Sequence, residues 1–263
     1  MRTHDPGQQS LPGIDSSPVT FLSPSALDKY LHCPRLYRFL YVNGMWNRSR
    51  VTATQSFGTT IHAVMREFFR TPVPRRSLDR LLGLLRDCWV KEGYRNREEL
   101  QKERERAAEA LREWYRRADV RAVPYATEVD LQASWGDVVL KGRLDRVDTD
   151  PDGGLVVVDY KTGRRPVSQE SADADNALTI YAALAQRRLH RPVNALVLDY
   201  VVAGTQVRTE RPPQVLDQRL DAVLETASRL RADRDFTPRT GPWCSSCDLL
   251  GACPEGQQEL SAG

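Results

Sequence analysis

The sequence predicts an α/β fold, with a helical insertion ahead of a strand-rich core, and three observations carry that prediction. Between Thr127 and Tyr160, three runs of strand-forming residues are separated by the turn segments Trp135-Gly136-Asp137 and Pro151-Asp152-Gly153-Gly154. From Pro24 to Arg117, apolar residues recur instead at helical spacing. After Lys161 the pattern alternates between helix and strand, as a sheet covered by helices requires.

The elements follow in order. Met1 to Thr20 carries Pro6, Pro12 and Pro18 but no apolar core segment, so residues 1–18 read as a flexible leader and not a secretory signal. Ser23 can cap a helix whose first turn accepts Pro24; it ends near Cys33-Pro34 and is followed by a short one from Arg35 to Val42. Phe57 to Phe69 places Ile61, Val64, Met65 and Phe68 on one apolar helical face, and Ser77 to Arg117 stays helical with a break near Gly93. The charged run Arg95 to Arg106 reads as a solvated helix face. Thr127–Ser134, Val138–Asp148 and Leu155–Tyr160 are strands joined by turns short enough for an antiparallel meander. Ala172 to Leu189 is helical, Ala195 to Val202 is an apolar strand onto which Thr205 to Glu210 can pair, and Pro213 to Asp233 is a last helix before a cysteine-bearing loop.

At 263 residues, with 40% hydrophobic and 28% charged residues, the chain can bury a sizeable core. No apolar run approaches the ~20 residues of a membrane span, and a cytoplasmic location is expected. The net charge is only +3, and lysine occurs only at Lys29, Lys91, Lys102, Lys141 and Lys161. Arginine therefore supplies nearly all the positive charge, through either genomic base composition or the suitability of its fork for phosphate.

Two constellations carry chemistry. Lys141-Gly142-Arg143-Leu144-Asp145 lies on one strand, and Val158-Asp159-Tyr160-Lys161 on the next. Asp159 and Lys161, two apart, leave a strand on the same face, and hairpin pairing brings Asp145 near Asp159. A lone D-x-K is more often a surface ion pair. Two carboxylates converging with a lysine repel or protonate unless a hard divalent cation lies between them, which makes a Mg or Mn site with oxygen ligands the natural reading. Those are parts of metal-assisted phosphodiester hydrolysis. Glu128, on the preceding strand, is placed either to support such a site or to face solvent. Glu67 lies off the helical face of His62. The second constellation is Cys244-x2-Cys247-x5-Cys253-Pro254, with Cys33-Pro34 far upstream. Five cysteines, an odd number, argue against a disulfide framework, and four thiolates suit zinc or an iron-sulfur cluster. A one-plus-three split is unusual for zinc. Cys88, among Leu81, Leu84 and Leu85, reads as a core residue.

Taken together, these pieces resemble the PD-(D/E)xK nuclease superfamily, specifically the RecB-like branch that includes AddB nuclease domains and CRISPR-associated adaptation nucleases. The resemblance runs from about Phe21 to Pro254 and rests on Ser23-Pro24-Ser25-Ala26-Leu27 with Cys33-Pro34, Gly58-Thr59-Thr60-Ile61-His62, Gly142-Arg143-Leu144-Asp145, Val158-Asp159-Tyr160-Lys161-Thr162-Gly163 and the C-terminal cysteines. It implies a restriction-endonuclease-like core with a central mixed sheet flanked by helices. It further implies Asp145, Asp159 and Lys161 as catalytic residues, with His62, Asp145 and Asp159 holding Mg or Mn. Cys33, Cys244, Cys247 and Cys253 would hold a 4Fe-4S cluster stapling the tail to the first helices. One domain is expected over 19–254, with a helical part over about 57–118, a catalytic core over about 124–233, a cluster-binding tail over 234–254 and a flexible end over 255–263. The implied function is a metal-dependent DNA exonuclease acting on single strands or ends in repair, recombination or CRISPR adaptation. Tyr181, Arg143, Arg146, Arg164 and Arg165 are candidates to meet DNA, and Tyr160 offers either a stacking face or packing. With no Walker-type phosphate loop in the sequence, a helicase or CRISPR adaptation proteins are the expected partners. This branch usually carries Q-L-x-x-Y on the helix after the lysine. Here Leu178 and Tyr181 are present, but Ala177 replaces the glutamine. That departure supports an alternative, a noncatalytic DNA-binding or assembly subunit that keeps the fold and cluster.

Overall fold

In a computed structural model that describes residues 20–45 and 51–261, the core is one mixed sheet with helices on both faces. The expected leader over 1–18 lies outside the described residues. Strand β1 (Thr20–Leu22) leads into α1 (Pro24–His32), capped by Ser23, whose side chain accepts the Ala26 amide; α2 (Pro34–Tyr37) continues as a π turn to Val42. Helix α3 (Ala53–Arg70) opens on a capping box in which Thr52 and Gln55 each bond the other's backbone amide. Helices α4 (Leu78–Asp87) and α5 (Arg97–Arg117) follow. Strands β2 (Ala126–Trp135), β3 (Val138–Thr149) and β4 (Leu155–Lys161) form the expected antiparallel meander. Helices α6 (Gln169–Asp173) and α7 (Asn176–Leu189) cross over to β5 (Val193–Tyr200), which lies parallel to β4; β6 (Thr205–Thr209) pairs back onto β5, and α8 (Pro213–Ala232) closes the core.

Three elements differ from the sequence reading. The expected helix over Ala172 to Leu189 is two, because Asp175 stops the first and caps the second by accepting the Leu178 amide. Where a flexible end was expected over 255–263, residues Pro254–Ser261 form helix α9, begun by the proline in its first turn. Strand β1, parallel to the start of β3, was not foreseen at all.

Two cores share the sheet. One face buries Leu140, Leu144, Leu155 and Leu196 against Leu27 of α1, Ile180 and Leu184 of α7 and Leu216 of α8. The other buries Val158, Val197 and Val201 against Phe57, Ile61 and Phe68 of α3, Leu81 of α4, and Leu111 and Trp114 of α5. Each buried aliphatic side chain of this kind contributes roughly 1.5–3 kcal/mol. A buried carboxylate ties α5 to the sheet: Asp199 accepts from Trp114 Nε1 (3.0 Å), Arg117 Nη2 (2.6 Å) and Gln206 Nε2 (3.1 Å). Among the described residues, no helix is long and apolar enough to cross a membrane.

Removing Asp199 strands a guanidinium and an indole N–H inside this core. Asp199→Ala should lower stability by about 3–5 kcal/mol in urea unfolding. An unchanged midpoint would show that the pair braces nothing.

Candidate functional site

The site forms where β3 and β4 part. Their pairing runs from Thr149↔Leu155 to Arg146↔Val158 and stops there, one step before Asp145 and Asp159 would face each other. The Tyr160 amide, beyond the last pair, donates to Asp145 Oδ2 at 2.8 Å. The other carboxylate oxygen of Asp145 lies 3.0 Å from His62 Nδ1, so helix α3 is drawn to the open end of the hairpin.

Glu128 joins them from β2. The ligand atoms of His62, Glu128 and Asp145 all lie within 4.8 Å of one another. The Glu128 side chain is only 11% exposed and that of Asp145 10%. Glu128 has a left-handed backbone, φ 49°, between the pairs Thr127↔Arg146 and Val129↔Leu144. Burial along β3 slips at the same level, since Leu144 and Val147, three residues apart, both enter the α7-side core. A left-handed non-glycine residue within a strand is strained and points to a local functional demand.

The electrostatics favour a cation. Burial pushes the Glu128 carboxyl above its usual range, and the charge of Asp145 adds to this against His62, Arg143 and Arg66. Burial lowers the His62 pKa, but the hydrogen bond and charge of Asp145, with Asp159 and Glu128, outweigh it and leave the imidazole raised. Asp159 is raised chiefly by burial, against the pull of Lys161, whose Nζ lies 2.7 Å from Asp159 Oδ2. That oxygen is otherwise buried without a well-directed hydrogen bond. Lys161 is 39% exposed and remains charged: burial disfavours the ammonium, but Asp159, Asp175 and Asp145 outweigh it. An imidazole with several carboxylate oxygens in short supply of donors is a donor set that fits Mg or Mn. His62, Glu128 and Asp145 could hold the ion, with Asp159 beside them.

Of the residues expected at the metal, His62 and Asp145 meet, whereas Asp159 pairs with Lys161, and the third member of the close group is Glu128. No periodic signal marks Glu128, because the strand around it has no clean burial alternation. Among the residues expected to meet substrate, Arg143 is exposed and forked onto Asp130 (2.9 and 2.9 Å), with Glu128 at 3.7 Å. Arg164 and Arg165 are exposed on the loop after β4. Tyr181 packs its ring on Gly142, where an added Cβ would lie 3.0 Å from the ring; burial and the charges of Asp159, Asp145 and Asp175 push its phenol up. Arg146 does not border the site: it is bonded to Asp148 and Tyr160 and lies over Phe69. Tyr160 is buried packing, not a stacking face. Glu67 pairs with Arg66 and Arg70, away from the site.

At the far side of the first helices, Cys33, Cys244, Cys247 and Cys253 line a single cavity of about 370 Å³. Cys33 sits at the junction of α1 and α2. Arg35 reaches from α2 to the Phe236 carbonyl (3.2 Å) and to Glu255 of α9 (3.3 Å). Burial pushes the Cys247 thiol up, against the opposing hydrogen bond from the Leu249 backbone, and the neighbouring thiols Cys244, Cys33 and Cys253 add to the rise. A Cβ on Gly256 would stand 3.2 Å from Leu250 Cδ1, 3.4 Å from Cys253 Sγ and 3.6 Å from Cys244 Sγ, so α9 packs directly against two of the four cysteines.

A family model of the PD-(D/E)XK nuclease superfamily matches residues 21–254, and the chain belongs to that superfamily, whose nucleases use divalent metal ions. Among solved structures, the chain is similar to a "Putative exonuclease" from Eubacterium rectale, with TM-score 0.52 and 14% identity over 96% of this chain and 94% of that one. It is also similar to SSO0001, with TM-score 0.41 and 16% identity over 90% and 87%. No curated protein matches the chain.

Because the imidazole is raised above its usual 6.5, the stabilising charge it gives the metal-free site is fully present below about 6.5 and fades as pH climbs through the raised value. A metal needs the neutral ring, so Mg affinity should rise with pH over that same window. NMR titration of His62 with and without Mg checks this. An imidazole that titrates at or below its usual value would remove the histidine from the site.

Proposed function

We propose that this chain is a metal-dependent deoxyribonuclease that hydrolyses phosphodiester bonds as an exonuclease on single strands or DNA ends. The convergence of His62, Glu128 and Asp145 beside the Asp159–Lys161 pair, at the parted end of a hairpin, carries the reading. A divalent cation bound there would neutralise phosphate charge and lower the pKa of a water. Asp145 holds His62 and the β4 backbone in register, which fixes the liganding groups relative to Lys161. Lys161 presents a charged, partly exposed ammonium where negative charge develops on phosphate. Tyr181 walls the site from α7, and Arg143 and Arg164 are the cations placed to meet the backbone of the substrate.

The cysteine cavity supports a 4Fe-4S cluster on Cys33, Cys244, Cys247 and Cys253. A one-plus-three split is unusual for zinc, and four thiols lining one cavity, one from the first helices and three from the C-terminal segment, are the donors such a cluster takes. Its role is to join α1 and α2 to the C-terminal segment, as a long-range crosslink does. The RecB-like resemblance extends the proposal to repair, recombination or CRISPR adaptation in the cytoplasm, beside a helicase or adaptation proteins.

The deciding assay follows end-labelled single- and double-stranded DNA with Mn or Mg. Lys161→Ala and Asp159→Asn should each lose at least about 100-fold in rate; equal degradation by wild type and both variants would reject catalysis and leave the noncatalytic reading suggested by Ala177. Cys244→Ala should lose visible absorbance, iron and sulfide, and much of its soluble yield. Colourless, well-folded and active Cys244→Ala protein would end the cluster assignment.

A further inference from the structure

The sheet face beside the metal group is left open where β1, β2 and β3 extend past α3. The register fixes what stands on it. Glu128 and Asp145 occupy one level, Asp130↔Arg143 the next, Gln132↔Lys141 the one beyond, and Ser134↔Val139 the last, where β1 adds Phe21↔Val139. Residues two apart on a strand share a face. The neighbours Leu22, Leu131, Leu140 and Leu144 go to the buried core on the other side. Glu128 and Asp130 both reach Arg143, which confirms from side-chain contacts that they stand on the same side. An open cleft of about 550 Å³ runs over Asp130, Gln132, Lys141 and Arg143 to Ser23. Beyond the cleft, one level past Lys141 in the register, Phe21 is 56% exposed, an unusual place for a phenylalanine.

We infer that this face is the track on which an extended single DNA strand lies as it enters the metal group, with Arg143 and then Lys141 on successive phosphates and Phe21 stacking on a base. The inference rests on the nuclease reading for its occupant. Two features select a single strand. The levels are spaced by about 7 Å, two residues of a strand, so the cations stand in single file along one line and do not flank a groove. The line also ends on an exposed aromatic, which binds unpaired bases without regard to sequence. Charge agrees: Lys141 is exposed and makes no ion pair among the described residues. Arg143 is held by Asp130, itself exposed, so an arriving phosphate displaces an exposed carboxylate and need not break a buried pair. Asp130 is thus a latch that keeps Arg143 extended along the track until substrate replaces it.

The test measures binding of fluorescein-labelled oligothymidylates of two to eight nucleotides to the full chain without metal, by anisotropy across a salt series. Lys141→Ala should weaken binding about three- to tenfold and reduce the salt slope by about 0.7, one phosphate on a single strand. Phe21→Ala should weaken binding about fivefold or more, and only for oligonucleotides of four or more nucleotides. Asp130→Ala should tighten it, and Arg188→Ala, on the exposed side of α7, should leave it unchanged. Thermal midpoints of the variants control for folding. Binding by Lys141→Ala and Phe21→Ala equal to wild type at every length would overturn the track, as would equal affinity and equal losses on a duplex. A change confined to self-association in sedimentation would assign the face to a protein contact instead. Binding is read without turnover, so the two proposals fail separately. Track effects in a protein that cleaves nothing would refute the nuclease, and normal cleavage with unaffected binding would refute the track.

Discussion

Where β3 and β4 part after Arg146↔Val158, the Tyr160 amide has no ladder partner on β3, and an orphaned buried amide costs about 1–3 kcal/mol. Asp145 supplies the missing acceptor with one oxygen and holds His62 with the other. A single carboxylate therefore fixes how far the hairpin opens and where α3 sits against it. On β4, Asp159 and Lys161 stand two apart on one face and pair at 2.7 Å, so a cation–anion pair lies next to the ligand group. If the strands stayed paired one step further, the two aspartates would stand face to face, where like charges are disfavoured.

The near-balance of charge conceals a division of labour among the arginines. Several brace the fold: Arg76 donates to the carbonyls of Phe69, Thr71, Val120 and Ala122, joining the loop after α3 to the approach to β2. Arg146 and Arg211 are likewise spent on internal oxygens. A planar fork with five donors suits such sites better than an ammonium does. Arginine richness is accordingly a poor guide to where phosphate binds. What distinguishes Arg143 and Arg164 is exposure, and Lys141, one of only five lysines, stands on the open sheet face.

The meander was legible because each of its strands is bounded by turn residues with a physical role. Gly136 and Gly153 take positive φ, and Asp150 caps the second turn by accepting the Asp152 and Gly154 amides. His62, Asp145, Asp159 and Lys161 were legible because each sits in a motif of several residues. Strand β1 was not, since three residues cannot display an alternation, and its partner lies over a hundred positions away. The parallel partnership of β4 and β5 is equally invisible locally, as both read simply as apolar runs. The split between α6 and α7 and the start of α9 did carry signals, an N-capping aspartate and a first-turn proline, outweighed by the helical pattern around one and by proximity to the chain end at the other.

The sequence left Glu128 between two readings, support for the site or a solvent face, for a deeper reason. A left-handed conformation at a glutamate costs about 1–2 kcal/mol, and pattern reasoning assumes that strands avoid it. Here the flanking pairs Thr127↔Arg146 and Val129↔Leu144 hold the backbone on both sides, so the strain is confined to one residue. The gain is positional. On β3 the burial alternation holds through Leu144 and Asp145 and slips only before Val147, at the level of the turned Glu128. Both irregularities stand at the level where the ligand atoms of His62, Glu128 and Asp145 come within 4.8 Å of one another, so the strain sits where the carboxylates converge and not elsewhere on the hairpin.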